Sequence, residues 1–99
     1  MIIYGIKNCD KVRAALKRCA SEGMDAQLHD FRVDGIDLPL VERMLADIAL
    51  EQLVNKRSTS WRQLDQAARE TLSASTLVAH PTLIKRPVVY ADGHFKTGL

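Results

Sequence analysis

Two cysteines and three groups of basic side chains are the residues of this 99-residue chain best suited to chemistry. Cys9 stands in "YGIKNCDKVRAALKRC", where a loop turns into a helical pattern, and Cys19 stands at the end of the same stretch. A thiol at the start of a helix meets unpaired main-chain N–H groups and the positive end of the helix dipole. Both favour the thiolate, which is the nucleophilic form. Lys7, Lys11 and Arg13 add positive charge there, and Asp10 opposes it. On local chemistry alone, a reactive Cys9 and an inert loop cysteine both remain open. Cys19 shares an apolar stripe with Val12, Ala15 and Leu16, so it reads as a small buried hydrophobe. Helical rise puts the two cysteines roughly 15 Å apart, whereas a disulfide needs Cα atoms about 4.4–6.8 Å apart. They cannot pair. Val12 occupies the place where a C-x-x-C motif would need its second cysteine, which excludes a dithiol cycle within this loop.

A thiolate that attacks an oxyanion or an anionic disulfide needs cations to hold the negative substrate. "IKRPVV" supplies Lys85 and Arg86 just before a β-prone run, and Pro87 biases Arg86 toward extended backbone. "NKRSTSWR" supplies Lys56, Arg57 and Arg62 in or beside a polar loop. Each of these, taken singly, reads equally well as a solvated surface charge. His29, His80 and His94 show no metal-ligand spacing with either cysteine, so no metal site is expected.

The rest of the chain sets the compartment and the frame. Its 46% apolar and 26% charged residues are the proportions of a water-soluble globular domain. A net charge of +2, spread along the chain, gives no nucleic-acid surface. No signal peptide and no membrane-length apolar run are present, and two free thiols then suit a reducing, cytoplasmic setting.

The elements that must position Cys9 follow from periodicity. "IIYGI" (2–6) predicts a strand and Asp10 to Glu22 a helix ended by Gly23. "AQLHDFRV" (26–33) predicts a second strand, and Pro39 opens a helix through "LVERMLADI". Leu50 to Asn55 continues helically, and "WRQLDQAARETL" and "SASTLVAHP" predict two short helices. Val88 to Tyr90, the turn "ADG" and His94 to Thr97 predict a β-hairpin. The order is β-α-β, a helical insert at about 38–80, then a hairpin, within one α/β domain spanning 1–99. The first three elements imply a parallel strand pair with a right-handed crossover.

These pieces resemble the arsenate reductase ArsC/Spx family, and its YffB-like branch most. "YGIKNCDKVRAALK", "HDFRVDGID", "LVNKRSTSWRQLD" and "HPTLIKRPVV" occur in the family's order across essentially the whole chain. The resemblance implies a thioredoxin-like, three-layer fold. It also implies that Cys9 is the nucleophile, that Arg86 faces it, and that Pro87 is the cis-proline of such folds. Arg57 falls in the family's central basic segment, and with Lys11 and Pro87 it is expected to hold substrate. Arsenate reductases of the family carry a basic residue where Asn55 sits, and a Gly-Thr-Ser-type loop where this chain has Asp10-Lys11-Val12. The expected activity is therefore glutathione-dependent thiol reduction with one nucleophilic cysteine. Glutathione is the co-substrate, no cofactor is bound, and arsenate is the secondary candidate substrate. The alternative is a Spx-like transcription regulator that binds RNA polymerase, although such proteins usually carry the C-x-x-C switch that Val12 interrupts. The family's C-terminal helix is missing after "FKTGL". That predicts an apolar patch near the hairpin, or its burial by a second copy of the chain or by the insert.

Overall fold

Alternation of apolar side chains at the N-terminus builds the strand on which everything else is arranged. In the computed structural model, which describes residues 1–99, β1 is Ile2–Gly5. It pairs in parallel with β2 (Gln27–Asp30), Ile3 opposite Leu28 and Gly5 opposite Asp30. On its other edge β1 pairs antiparallel with β3 (Val88–Ala91), Tyr4 opposite Val88. β3 in turn pairs antiparallel with β4 (His94–Thr97), giving the sheet order β2-β1-β3-β4. Asp92 and Gly93 connect the hairpin with φ of 55° and 81°. Two successive positive φ values are what a two-residue turn between twisted strands requires, and Asp-Gly supplies them at low cost.

The crossover from β1 to β2 is helix α1, Asp10–Ser21. Its stripe of Val12, Ala15 and Cys19 packs with Ile3 and Val89 in one buried cluster, and Leu28, Leu16 and Met24 lie against it. Burying a side chain of Val or Ile size is worth about 1.5–3 kcal/mol, so this stripe fixes which way α1 faces. The helix ends in a Schellman motif. The Gly23 N–H donates to the Ala20 carbonyl (3.3 Å) and the Met24 N–H to that of Cys19 (2.8 Å), with Gly23 at φ 70°.

The other sheet face carries an aromatic cluster. Tyr4 lies 4.8 Å from His29 and 5.8 Å from Phe95 between ring centroids, and Tyr90 lies 4.7 Å from Phe95. Phe95 and Tyr4 are each 5% exposed and Val88 is fully buried. The exposed large apolar side chains are Met1, Val33 and Leu38.

The chain divides into two compact units, Met1–Gly35 with Arg86–Leu99, and Ile36–Lys85. The second unit is made of short helices: α2 (Leu38–Asp47), α3 (Leu50–Leu53), α4 (Thr59–Gln63), α5 (Gln66–Glu70) and α6 (Ala74–Ala79). A 3₁₀ turn follows at Pro81–Leu83. Side-chain caps start several of these helices. Asp37 accepts from the Leu40 N–H (2.9 Å), Ser58 from the Trp61 N–H (3.1 Å) and Asp65 from the Ala68 N–H (2.7 Å). α2 and α6 pack together, with Val41, Met44 and Leu77 buried.

Three boundaries depart from the sequence reading. β2 stops at Asp30 instead of Val33, because Asp30 and Asp34 turn the chain through side-chain bonds to main-chain N–H groups. "WRQLDQAARETL" is two helices, because Asp65 caps a new one. α3 ends at Leu53, because Val54 leaves the helix to form an isolated antiparallel bridge with Ile84.

Candidate functional site

Cys9 is the N-cap residue of α1, and main-chain bonds hold it. Its N–H donates to the Ile6 carbonyl (3.1 Å), closing a turn through Lys7 and Asn8, and its carbonyl accepts the Arg13 N–H (2.9 Å). The thiol makes no cap hydrogen bond, and the residue is half-buried. The side chain does not serve as the helix cap, and Cys9 packs against the cluster of Ile3, Val12 and Val89. Asp10, whose charge opposes a thiolate, is ion-paired with Arg13 on the exposed surface. Cys19 is 1% exposed and, like Cys9, unbridged.

Sheet register brings the second part of the site alongside. β1 and β3 run antiparallel with Tyr4 opposite Val88. The paired register ends at Tyr4–Val88, so Pro87 and Arg86 precede β3 at the end of the sheet where β1 leads into the cysteine loop. The Arg86–Pro87 peptide is cis, as the resemblance implied. Pro87 is buried and Arg86 is half-buried. The Pro87 carbonyl accepts the Gly98 N–H (2.9 Å), which ties the end of β4 to the same edge.

Beside Pro87 an open groove of about 220 Å³ runs along α1. Lys11 and Arg18 line it together with Pro87, Gly98 and Leu99. Lys11 and Pro87, named from the sequence as substrate-holding residues, are therefore on one concavity, with an apolar floor and cationic rims. Arg18 spans 3.5 Å to Glu22, an exposed pair that solvent weakens.

Arg57 belongs to the other unit. Its N–H donates to Asn55 Oδ1 (3.0 Å), its carbonyl accepts from Arg62 (3.4 Å), and its side chain is exposed. This polar loop is pinned to the segment before Arg86. The Asn55 N–H donates to the Leu83 carbonyl (2.7 Å) and the Lys85 N–H to the Leu53 carbonyl (2.7 Å).

Sequence reasoning missed Asp30. Its carboxylate, 7% exposed at the end of β2, accepts the Lys7 N–H (3.1 Å) and the Arg32 N–H (2.8 Å). The Arg32 N–H chiefly, then that of Lys7, holds its carboxyl below the usual range, against the opposing pull of burial. Asp30 thereby fastens the loop that carries Cys9 to the neighbouring strand. In the sequence it stands among polar Gln27, His29 and Arg32, and nothing local marks it.

A model of the ArsC family matches residues 4–99. An uncharacterized protein of Haemophilus influenzae is 46% identical over 95 residues, covering 92% of this chain and 83% of its own. The solved structure of the YFFB (PA3664) protein superposes with a TM-score of 0.89 at 29% identity, covering 99% of this chain and 90% of that one. An arsenate reductase (ArsC) related protein from Brucella melitensis does so at 0.81 and 34% identity, covering 99% and 85%. The thioredoxin-like α/β fold expected from the resemblance is the fold found. Matched along nearly its whole length by the family model, and sharing close to half its residues with a relative, the chain belongs to the ArsC family.

Proposed function

We propose that this protein is a glutathione-dependent thiol reductase of the reducing cytoplasm, with Cys9 as its single nucleophile. One observation supports the reading: β3, which follows Arg86 and Pro87, starts opposite the end of β1 that leads into the Cys9 loop. In this mechanism the Cys9 thiolate attacks the glutathionyl sulfur of a mixed disulfide, RS–SG. The RS–S bond breaks, RS⁻ leaves and takes a proton to become RSH, and Cys9 carries the glutathionyl group. The thiolate of a second glutathione then attacks that sulfur, releasing GSSG and restoring Cys9. The net exchange is RSSG + GSH → RSH + GSSG, so glutathione supplies the electrons that reduce R.

Arg86 holds the anionic substrate beside the reacting sulfur, and its planar fork suits a carboxylate or an oxyanion. Lys11 and Pro87 line the groove in which the glutathionyl peptide lies, its carboxylates directed to the cationic rim. Arg57 is given the same charge-holding duty from its place in the family's central basic segment. The name of the Brucella relative keeps arsenate as the second substrate to be tried.

The test is turnover of a cysteine–glutathione mixed disulfide with glutathione, followed by GSSG release, with arsenate in a parallel arm. Cys9→Ser should abolish turnover and Cys19→Ser should retain it. Full activity in Cys9→Ser would end this reading. Turnover of arsenate alone would transfer the same thiol to oxyanion reduction.

A further inference from the structure

The helical unit contains a second concavity that the thiol chemistry does not use. It has a volume of about 230 Å³ and is formed around Trp61, the chain's one tryptophan. Four ionisable side chains line it, Lys56 and Arg69 with positive charge and Glu51 and Glu70 with negative charge. Yet none of the four is in an ion pair, unlike Asp10 with Arg13 or Arg18 with Glu22 in and beside α1. Long exposed Lys and Glu side chains close into pairs readily when they reach one another, at little gain or cost. Here both signs stand around one hollow and stay apart, over a floor that includes Val54 and Leu72.

The aromatic wall and one cation are held in place. Ser58 caps α4 through the Trp61 N–H (3.1 Å). Arg69 lies 5.3 Å and Lys56 5.7 Å from the indole centroid. The Arg69 Nε and one terminal nitrogen donate to the Trp61 carbonyl (3.3 and 3.1 Å), and that terminal nitrogen also donates to the Arg62 carbonyl (3.3 Å). The other terminal nitrogen has no protein acceptor, so a fixed guanidinium keeps two N–H groups available. The Glu70 carboxylate is steadied by Gln66, whose amide donates to Oε1 (3.0 Å).

We propose that this cavity binds a zwitterionic α-amino acid with an apolar side chain. Lys56 and Arg69 take the carboxylate, Glu51 and Glu70 take the ammonium, and the side chain lies against Trp61, Val54 and Leu72. Size selects within that class. Drug-sized ligands occupy pockets of roughly 300–1,000 Å³, and this one is smaller. A ligand of one sign would leave two like charges facing it without a partner, which the zwitterion avoids.

Trp61 is also the reporter. Its fluorescence, excited in the intact protein, should change saturably on titration with L-leucine. N-acetyl-L-leucine lacks the ammonium and 3-methylbutylamine lacks the carboxylate, and each should bind at least about tenfold more weakly, the factor that a modest lost contact produces. Lys56→Gln and Glu51→Gln, both at exposed positions, should weaken L-leucine by a similar factor with far-UV circular dichroism unchanged. Calorimetry should show L-leucine binding to the unaltered protein and weaker binding to Trp61→Phe, which separates binding from a remote effect on the indole. No saturable response to L-leucine up to about 10 mM, or an equal response to all three compounds, overturns the proposal.

Discussion

The Lys7 N–H donates to Oδ2 of Asp30 across 3.1 Å, so a buried carboxylate at the end of β2 fixes the loop that presents Cys9. The bond joins residues 23 apart in sequence, and the same carboxylate also takes the Arg32 N–H. A charged acceptor serving two main-chain donors is worth about 1.5–3 kcal/mol per bond.

Asp30→Asn should therefore destabilise the protein by about 1–3 kcal/mol at neutral pH. The sign with pH follows from a folded-state pKa that is lowered, first by the Arg32 N–H. A lowered carboxyl contributes stability that is fully present above its unfolded value, about 4, and is lost as pH falls through the folded value. The gap between wild type and Asp30→Asn should thus be widest near pH 7 and narrow below about pH 4. Urea unfolding at the two pH values checks this, and a gap that does not change with pH would refute it.

The frame of the fold was legible because its signals are local. Gly23 at the end of α1 and Asp92-Gly93 in the hairpin each solve a backbone problem within a few residues, so the type of residue announces the structure. Asp30 was not legible, because its partner Lys7 reaches it only through β1–β2 pairing. Asp65 was missed for a different reason. An aspartate inside an amphipathic run reads as a solvent-facing helix residue until its side chain is seen to cap a new helix. The start of β3, just after Arg86 and Pro87, meets the end of β1 that leads into the cysteine loop through β1–β3 pairing, which no periodicity reports. Their roles entered through family resemblance.

Gly5 and Val12 give a second prediction. A Cβ on Gly5 would lie 2.5 Å from Val12 Cγ2, closer than any real contact, and Val12 is fully buried. Valine is stiff at χ1 and cannot swing aside, so Gly5→Ala must push α1 off β1. A loss of about 1–3 kcal/mol is expected, the usual cost of overpacking. Adding Val12→Ala should make the double variant lose less than the sum of the single losses. Strict additivity in thermal or urea unfolding would show that the contact does not limit the packing.

The two thiols should differ sharply in the native protein. Cys9 is half-buried with its thiol free of cap bonds, whereas Cys19 is 1% exposed on the inner face of α1, with Met1 Sδ 3.8 Å away. Iodoacetamide at neutral pH should add one group, at Cys9. Cys19 should react at least about a hundredfold more slowly, because it needs an opening of the core. Mass mapping of the labelled peptides decides the matter, and comparable rates at both sites would contradict the burial described.

Arg86 supports the sharpest test of the proposed chemistry. It precedes β3 at the end of the sheet where β1 leads into the cysteine loop, and the family resemblance assigns it to face Cys9. Arg86→Ala should weaken turnover of an anionic mixed disulfide by about 1–3 kcal/mol, the scale of a lost charge-assisted hydrogen bond. Arg86→Lys should recover only part of that loss, since an ammonium is a point charge and cannot offer two parallel N–H donors. Alkylation of Cys9 by neutral iodoacetamide separates holding the substrate from shaping the loop. If Arg86 acts by holding the anion, the variants slow turnover far more than they slow alkylation. If both fall together, Arg86 acts by positioning the cysteine loop, and its assigned contact with substrate is wrong. If neither changes, the cations of the groove beside Pro87 carry the anion without it.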